Sequence, residues 1–415
     1  MRVTVIGAGL IGLTSAYFLR RRGHDVTVID RQSGPGRETS FANGGLLTPS
    51  MAEPWNTPGC WRVLLRALVS PDSSLRLRLD ALPGMTGWGL AFLRNSGKER
   101  FSKHALINLR FALYSLRVLE SLREQTGIAY TRAGTGSLRI FRDPASLDAA
   151  WAAAARRLEE GLTARRLSRS EVVALEPALE PISSRLAGGI HYADDETGDA
   201  HQFCLALTDQ LRVLGVELLF DTCVRSLEMA SGRLAAVVTD RGRLLADRYV
   251  VAAGSHTGPL LNRIGVSVPV QPAKGYSVTF ANGARVSSLR IPVVDDELHA
   301  VVVPVGDALR VAGTAEFAGY DLTLSNGSVQ SLLKLVRQVL PEVDLDFSSA
   351  QPWCGLRPMS ARGNPVIGPT RIDNVFVNTG HGHLGWTLAA GSGQLLADWV
   401  DGTPPAVDPT PFRLK

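Results

Sequence analysis

The 415-residue sequence predicts an α/β protein: a dinucleotide-binding domain of alternating strands and helices, interrupted by a β-rich second domain. Three observations predict it. The chain opens with a strand, a glycine-rich turn, a helix and a second strand ending in an acid. From Val266 to Asp346 the pattern turns into successive valine-rich strands. A strand at Asn374 to Asn378 and a second glycine-rich turn then return to the first pattern. At ~150 residues per domain the length suits two large domains or three small ones.

The elements follow in order. Arg2 to Ile6 is a β-branched run, and Gly7-Ala8-Gly9 with Gly12 forms G-x-G-x-x-G before a helix from Leu10 to Arg22 that Gly23 stops. Asp25 to Asp30 is the second strand. Each position has a mechanical reason: the first glycine makes the turn, the second admits a pyrophosphate to the backbone, and the third lets helix and strand pack closely. Asp30 is placed to meet a ribose. Phe101 to Gln125 and Leu147 to Gly161 are uninterrupted helical patterns and read as scaffold. Pro177 and Pro181 mark a turn, Gly189 to Tyr192 a short strand and Asp194 to Glu196 an acidic loop. A helix from Gln202 to Leu214 precedes strands at Val216 to Phe220, Leu234 to Thr239 and Leu244 to Ala253, the last ending in the small-residue turn Ala252 to Ser255. In the valine-rich region, Ser277 to Phe280 and Ala300 to Val305 read as strands and Val329 to Leu340 as a helix. A helix from Gly385 to Trp399 follows the second glycine-rich turn, and the tail with Pro404, Pro405, Pro409 and Pro411 is expected to be loose.

Composition narrows the function classes. Hydrophobic residues make up 45% and charged residues 20%, which excludes wholesale disorder. The formal charge is +5, but no basic block is longer than Arg20 to Arg22, so there is no nucleic-acid footprint; the surplus suits an anionic small molecule or a membrane surface. Cys60, Cys204, Cys223 and Cys354 are scattered without ligand spacing, which indicates no metal site or disulfide framework and points to the cytosol. The uncharged stretch from Val3 to Leu19 resembles a signal peptide, but its glycines and the lack of a small-residue cleavage site argue against one. The absence of G-x-S-x-G, H-E-x-x-H and Walker motifs weakens hydrolysis and phosphoryl transfer.

Further segments carry a resemblance. Val5 to Gly12 with Val28 to Arg31, Glu38 to Gly45, Ala52 to Trp55 with Pro58-Gly59, Glu196 to Asp199 after Asp195, Lys274 to Ser277, Gly355 to Met359 and Asn378 to Thr387 together resemble the bacterial FAD-dependent D-amino-acid dehydrogenases. These belong to the wider group of D-amino-acid oxidase and glycine oxidase. The match runs in order along nearly the whole chain. It implies an interrupted Rossmann-like FAD-binding domain, made of residues 1–45, 200–265 and 352–415, and a β-rich α+β substrate domain of 46–199 and 266–351.

The resemblance also implies roles. Gly7, Ala8, Gly9, Gly12 and Asp30, with Arg31 alongside, hold the ADP half of FAD. Ser40, Asn43, Gly44 and Gly45 pass close to the flavin, Val224 offers backbone near the adenine, and Ala253 and Gly254 lie beside the cofactor. The turn with Gly380, Gly382, His383, Gly385, Trp386 and Thr387 brings amides and a helix start to the pyrimidine side, favouring the negative charge of reduction. Arg357 takes the substrate carboxylate, since a planar guanidinium matches a carboxylate bidentately. Tyr276 is a pocket-wall candidate. His383 is a candidate for stabilising reduced flavin, although histidines in such turns more often bond backbone. Phe41, Glu53 and Asn56 depart from the family pattern and leave side-chain preference open.

The implied reaction is oxidative deamination of a D-amino acid, a cyclic one such as D-proline or a hydroxylated D-proline included, by hydride transfer from Cα to the flavin. A quinone or other non-oxygen acceptor takes the electrons. Trp61 to Phe92, with Arg62 and Arg66 on one helical face, Trp61, Leu64, Leu65 and Leu68 on the other, and Trp88 and Phe92 extending it, offers a peripheral membrane surface or a helix packed on the substrate domain. Two alternatives stay open: an amine or glycine oxidase using dioxygen, and a flavin-bearing electron-transfer subunit that depends on a partner.

Overall fold

A computed structural model describes residues 1–62, 75–281 and 289–414. Its first layer is a six-stranded sheet in the order Glu217–Leu219, Asp25–Ile29, Arg2–Ile6, Arg248–Val251, Val375–Thr379 and Val366–Pro369. All neighbours are parallel except the last pair. A parallel sheet must be covered on both faces, and the β-branched runs allow it. Val3, Val5, Val26, Val28 and Val250 face one core with helices Leu10–Arg21, Ala200–Val213 and Ala389–Asp401. Ile6, Ile29, Tyr249, Val251, Val375 and Val377 face another, closed by the antiparallel sheet of Val224–Ala230, Arg233–Thr239 and Gly242–Leu244. Helices Leu10–Arg21 and Ala389–Asp401 touch backbone to backbone: a Cβ on Gly393 would lie 2.7 Å from the carbonyl carbon of Thr14, whose hydroxyl donates to Ala389 O at 2.9 Å.

The second layer is a nine-stranded sheet in the order Ala350–Ser360, Val270–Ala281, Ala308–Phe317, Ala300–Val305, Val293–Asp295, Ser137–Phe141, Gly188–Tyr192 and Ala164–Leu167, with Leu75–Leu77 beside Ala308–Phe317. One face packs Val278, Phe280, Val302 and Val311 against Leu332, Val336 and Val339 of helix Asn326–Val339. The other face turns toward the first domain, where Ser277 Oγ donates to Ala42 O at 2.6 Å.

Four expectations change. The boundary at residue 352 cuts through strand Ala350–Ser360, which pairs along its length with Val270–Ala281, so that strand belongs to the second sheet. Helix Lys98–Thr126, expected in the substrate domain, packs Phe111, Ala112, Leu119 and Leu122 into the dinucleotide-domain core, where Ser115 Oγ accepts from Gly391 N. The helix after the second glycine-rich turn starts at Ala389 rather than Gly385, because a 3₁₀ turn at Gly382–Leu384 comes first. The proline-rich tail is not loose: Phe412 is 2% exposed and meets Phe111 at 4.4 Å between ring centroids. Trp88 and Phe92 follow the second reading of their segment, a helix packed on the substrate domain. They stack at 4.8 Å, Trp88 packs on Phe317, and its indole donates to Met359 O, so both face inward. Leu64, Leu65, Arg66 and Leu68 lie outside the described residues.

Candidate functional site

The two layers enclose a cavity of about 840 Å³, large for a small-molecule site. Its floor at one end is bare backbone. Gly7 sits at φ +113° with Ala252 O 2.5 Å from where a Cβ would stand, and a Cβ on Gly12 would fall 1.8 Å from Gly7 O. At Gly9 a Cβ would meet only Ser40 Oγ, at 3.3 Å, and at Gly254 nothing within 4 Å. A side chain at either would project into the opening. No side chain caps Gly9, so the first amides of helix Leu10–Arg21 face the cavity, apart from Leu10 N, which donates to Ser40 Oγ. This cradle suits a pyrophosphate.

Asp30 borders the same end, but Oδ2 accepts Ala8 N at 2.6 Å and Oδ1 accepts Gln32 N at 2.8 Å. Its carboxylate braces the turn, and one lone pair on each oxygen is left for a ribose. Burial raises its pKa despite these bonds. Arg31 is held by Glu38 at 2.6 Å and His256 at 2.9 Å. Val224, Ala253 and Gly254 line this end too.

Midway, Ser40, Asn43, Gly44 and Gly45 wall the cavity. The loop is pinned by Ser277 Oγ on Ala42 O, Arg310 Nη1 on Asn43 O and Gly45 N on Asn43 Oδ1. Opposite stand Gly382, His383, Gly385 and Trp386. Gly380 and Thr387 do not border the cavity: the first supplies a φ of +79° for the turn, and Thr387 Oγ1 accepts Thr48 N.

The far end holds Arg357. Arg357 is half-buried on the cavity wall, and its guanidinium has no carboxylate partner among the described residues and lies 5.6 Å from the Trp55 ring centroid. Burial lowers its pKa to about 10, so it stays charged at neutral pH. It rests on a glycine floor, because Gly275 and Gly355 are paired directly across the strands. A Cβ on Gly275 would stand 2.1 Å from Arg357 Nη1, and one on Gly355 would stand 2.2 Å from the Trp353 ring.

His383 Nε2 lies 2.9 Å from Met51 O, and since a carbonyl only accepts, the proton is on Nε2 and Nδ1 is a bare acceptor. Its ring stacks on Trp55, and burial drives its pKa to about 4, so it is neutral. His381 is likewise neutral, with Nε2 at 2.9 Å from Ser392 Oγ. Tyr276 borders the cavity together with its strand neighbours Gly275 and Ser277. Its ring packs with Val278 and Phe280 in the core of the sheet, and its hydroxyl donates to Glu316 at 2.5 Å. Phe41, Glu53 and Asn56 do not border the cavity: Glu53 pairs with Arg157, Phe41 packs on His201, and Asn56 donates to Ala361 O.

Sequence reading missed Ser50, Ser137 and Tyr192, all on the cavity wall, and did not single out Asp195 behind them. Asp195 lies in the expected acidic loop between strands Gly188–Tyr192 and Glu196–Gly198 and is fully buried there, with Oδ2 accepting both Ser50 Oγ and Ser137 Oγ at 2.5 Å and Oδ1 accepting Ser50 N at 3.2 Å. Burial raises its pKa to about 7.

A model of the family described as "FAD dependent oxidoreductase" matches residues 2–399. The chain belongs to this family. Within it, the chain falls among the D-amino acid dehydrogenases. One from Paramagnetospirillum magneticum is 42% identical over 410 residues, covering 98% of this chain and 96% of that protein. Another from Rhodopseudomonas palustris is 38% identical, covering 100% and 97%. Among solved structures, glycine oxidase from Geobacillus kaustophilus superposes with a TM-score of 0.77 at 24% identity, covering 100% of this chain and 98% of that one, a likeness of fold. The family's FAD fits the cavity described: its cradle of glycines admits backbone contact where any Cβ would intrude. No helix of the described residues is long and apolar enough to cross a membrane, and no group of His, Cys, Asp and Glu among them is arranged to hold a metal.

Proposed function

We propose that this protein carries out FAD-dependent oxidative deamination of D-amino acids, and that electrons leave to a quinone or other acceptor in place of dioxygen. The observation that carries the reading is the guanidinium of Arg357, without a carboxylate partner among the described residues, in the same cavity as the dinucleotide cradle. A cation kept without a partner in such a place is built for an anionic ligand, and removing water from it strengthens the attraction. The relatives' name supplies the class of that ligand.

Gly7, Gly9 and the start of helix Leu10–Arg21 hold the pyrophosphate, and Asp30 the ribose. Val224, Ala253 and Gly254 flank the adenine end, and Ser40 to Gly45 with Gly382 to Trp386 close around the ring. A bound flavin supplies a two-electron acceptor for the hydride that leaves Cα. The protein supplies position. Arg357 binds the substrate carboxylate through two parallel N–H donors, which fixes the direction of the Cα–H bond and makes the step effectively unimolecular. Trp55 and Trp353 line the cavity beside it and exclude water from the pair. His383, neutral, offers Nδ1 as an acceptor and adds no second positive charge near Arg357. Water hydrolyses the released imine to a 2-oxo acid and ammonia, or to a ring-opened product from a cyclic amine.

The protein is placed in the cytoplasm, with contact at the inner membrane face where a quinone is the acceptor. The test is anaerobic bleaching of the purified yellow protein across D- and L-amino acids, cyclic ones included, followed by hydrogen peroxide yield in air. Bleaching by D-amino acids with little peroxide is the expected result. Bleaching with stoichiometric peroxide makes the protein an oxidase, and no bleaching without an added protein makes it a dependent electron-transfer subunit.

A further inference from the structure

An amino acid arrives as a zwitterion, and its ammonium must lose a proton before the nitrogen lone pair can expel hydride from Cα. Arg357 serves only the other pole. The carboxylates around the cavity are mostly engaged. Asp30 and Glu38 stand at the nucleotide end, one bonded to two amides and the other to Arg31. Asp295 and Asp296 pair with Arg142 and Arg139. Asp195, directly behind the wall, has no cationic partner among the described residues.

Ser50 and Ser137 stand between Asp195 and the cavity, and both spend their one hydroxyl proton on Asp195 Oδ2. Each therefore presents only lone pairs to the cavity, the half of a hydrogen bond that an ammonium needs. Beside them, opposite Ser137 in the strand register, Tyr192 is 5% exposed and borders the cavity with a hydroxyl that has no partner among the described residues. A hydroxyl that opens on the cavity without a protein partner is free to meet a ligand there.

We propose that Asp195, reached through Ser50 and Ser137, accepts the proton shed by the substrate's ammonium; this rests on the amino-acid oxidation proposed above. The substrate N–H bond breaks as its proton passes to Ser50 Oγ, while the proton already on Ser50 moves to Asp195 Oδ2. No electrons change hands, and the amine keeps its lone pair. The carboxyl's raised pKa suits a group that must take a proton near neutrality. The charged and titratable groups facing it agree. Asp194, next in the chain, adds negative charge that favours proton uptake, Tyr192 is held neutral by burial, Arg139 is tied to Asp296, Glu53 to Arg157, and His383 hangs neutral on Met51 O.

The experiment is the rate of flavin bleaching by a D-amino acid in stopped flow, from about pH 6 to about pH 10, for the wild type, Asp195→Asn and Ser50→Ala/Ser137→Ala, with flavin content and circular dichroism measured on each. Expected for both variants is a rate about 100-fold below wild type at neutral pH that recovers to within about 3-fold at alkaline pH, where free substrate is already a neutral amine. A pH profile that matches wild type, or a loss of equal size at both ends, overturns the proposal. If Asp195→Asn does not fold, the double serine variant decides by the same criterion. A wild type that no D-amino acid bleaches at any pH instead overturns the function on which the proposal rests.

Discussion

The guanidinium of Arg357 lies directly on Gly275: a Cβ there would stand 2.1 Å from Nη1 and 2.2 Å from Cζ. The two residues come from adjacent strands, with Gly275 opposite Gly355 and Ala273 opposite Arg357. Two paired glycines thus lower the sheet surface by one side-chain layer, and the arginine and Trp353 lie down in the space.

Gly275→Ala therefore tests whether position, rather than charge alone, makes the clamp. Gly275 has no positive φ, so alanine fits the backbone. The methyl group displaces the guanidinium, and a displacement of about 1 Å costs on the order of 100-fold where orientation matters. The expected outcome is a loss of that size in kcat/KM with flavin content unchanged, read by steady-state kinetics with an artificial acceptor.

Arg357→Ala removes the clamp itself. Truncating one partner of a buried charge pair costs about 2–5 kcal/mol, so the KM for a D-amino acid should rise by at least ~30-fold while flavin stays bound. Arg357→Lys should recover only part of the loss, because an ammonium lacks the planar fork. An unchanged KM in the alanine variant would refute the carboxylate assignment.

The cofactor cradle is tested at Gly9, whose missing Cβ faces only Ser40 Oγ. Gly9→Val leaves the sheet and helix in place but puts two methyl groups where the pyrophosphate has to approach. The variant should fold, by circular dichroism, and emerge colourless. Wild-type flavin absorbance per chain would show that the ligand does not use this backbone.

Local signals made part of this site legible and long-range ones hid the rest. Gly7, Gly9 and Gly12 are read from neighbours within one turn, and the observed helix Leu10–Arg21 and strand Asp25–Ile29 fall where that pattern puts them. Asp195 sits in an acidic loop between Asp194 and Glu196, and the partners that bury it, Ser50 and Ser137, are 145 and 58 residues away. Nothing in the sequence joins them. Phe412 sits among prolines that signal a loose tail, but its contact is Phe111, on a helix some three hundred residues earlier. Tyr276 borders the cavity as the motif around Lys274 to Ser277 implies, but the bond that holds its hydroxyl, to Glu316 on the neighbouring strand, is 40 residues away and is not legible in that motif.

His381 gives the fold an acid limit. It is buried, Nε2 meets Ser392 Oγ, Nδ1 has no partner, and its pKa falls from 6.5 to about 3 because burial opposes the charge. The unfolded chain takes up a proton on this ring below about pH 6.5, and the folded chain resists it down to about pH 3. The neutral ring's full contribution is therefore present above the unfolded pKa, drains away at up to ~1.4 kcal/mol per pH unit as the pH falls, and is gone below the folded value. His383, lowered to about 4, adds in the same direction. Denaturant melts of the wild type should show stability falling between about pH 6.5 and about pH 4. His381→Asn keeps a short polar group near Ser392 but binds no proton, so its stability should fall less steeply over that window, whatever its absolute value at neutral pH. Parallel curves for the two proteins would mean that this imidazole titrates alike in the folded and unfolded chain.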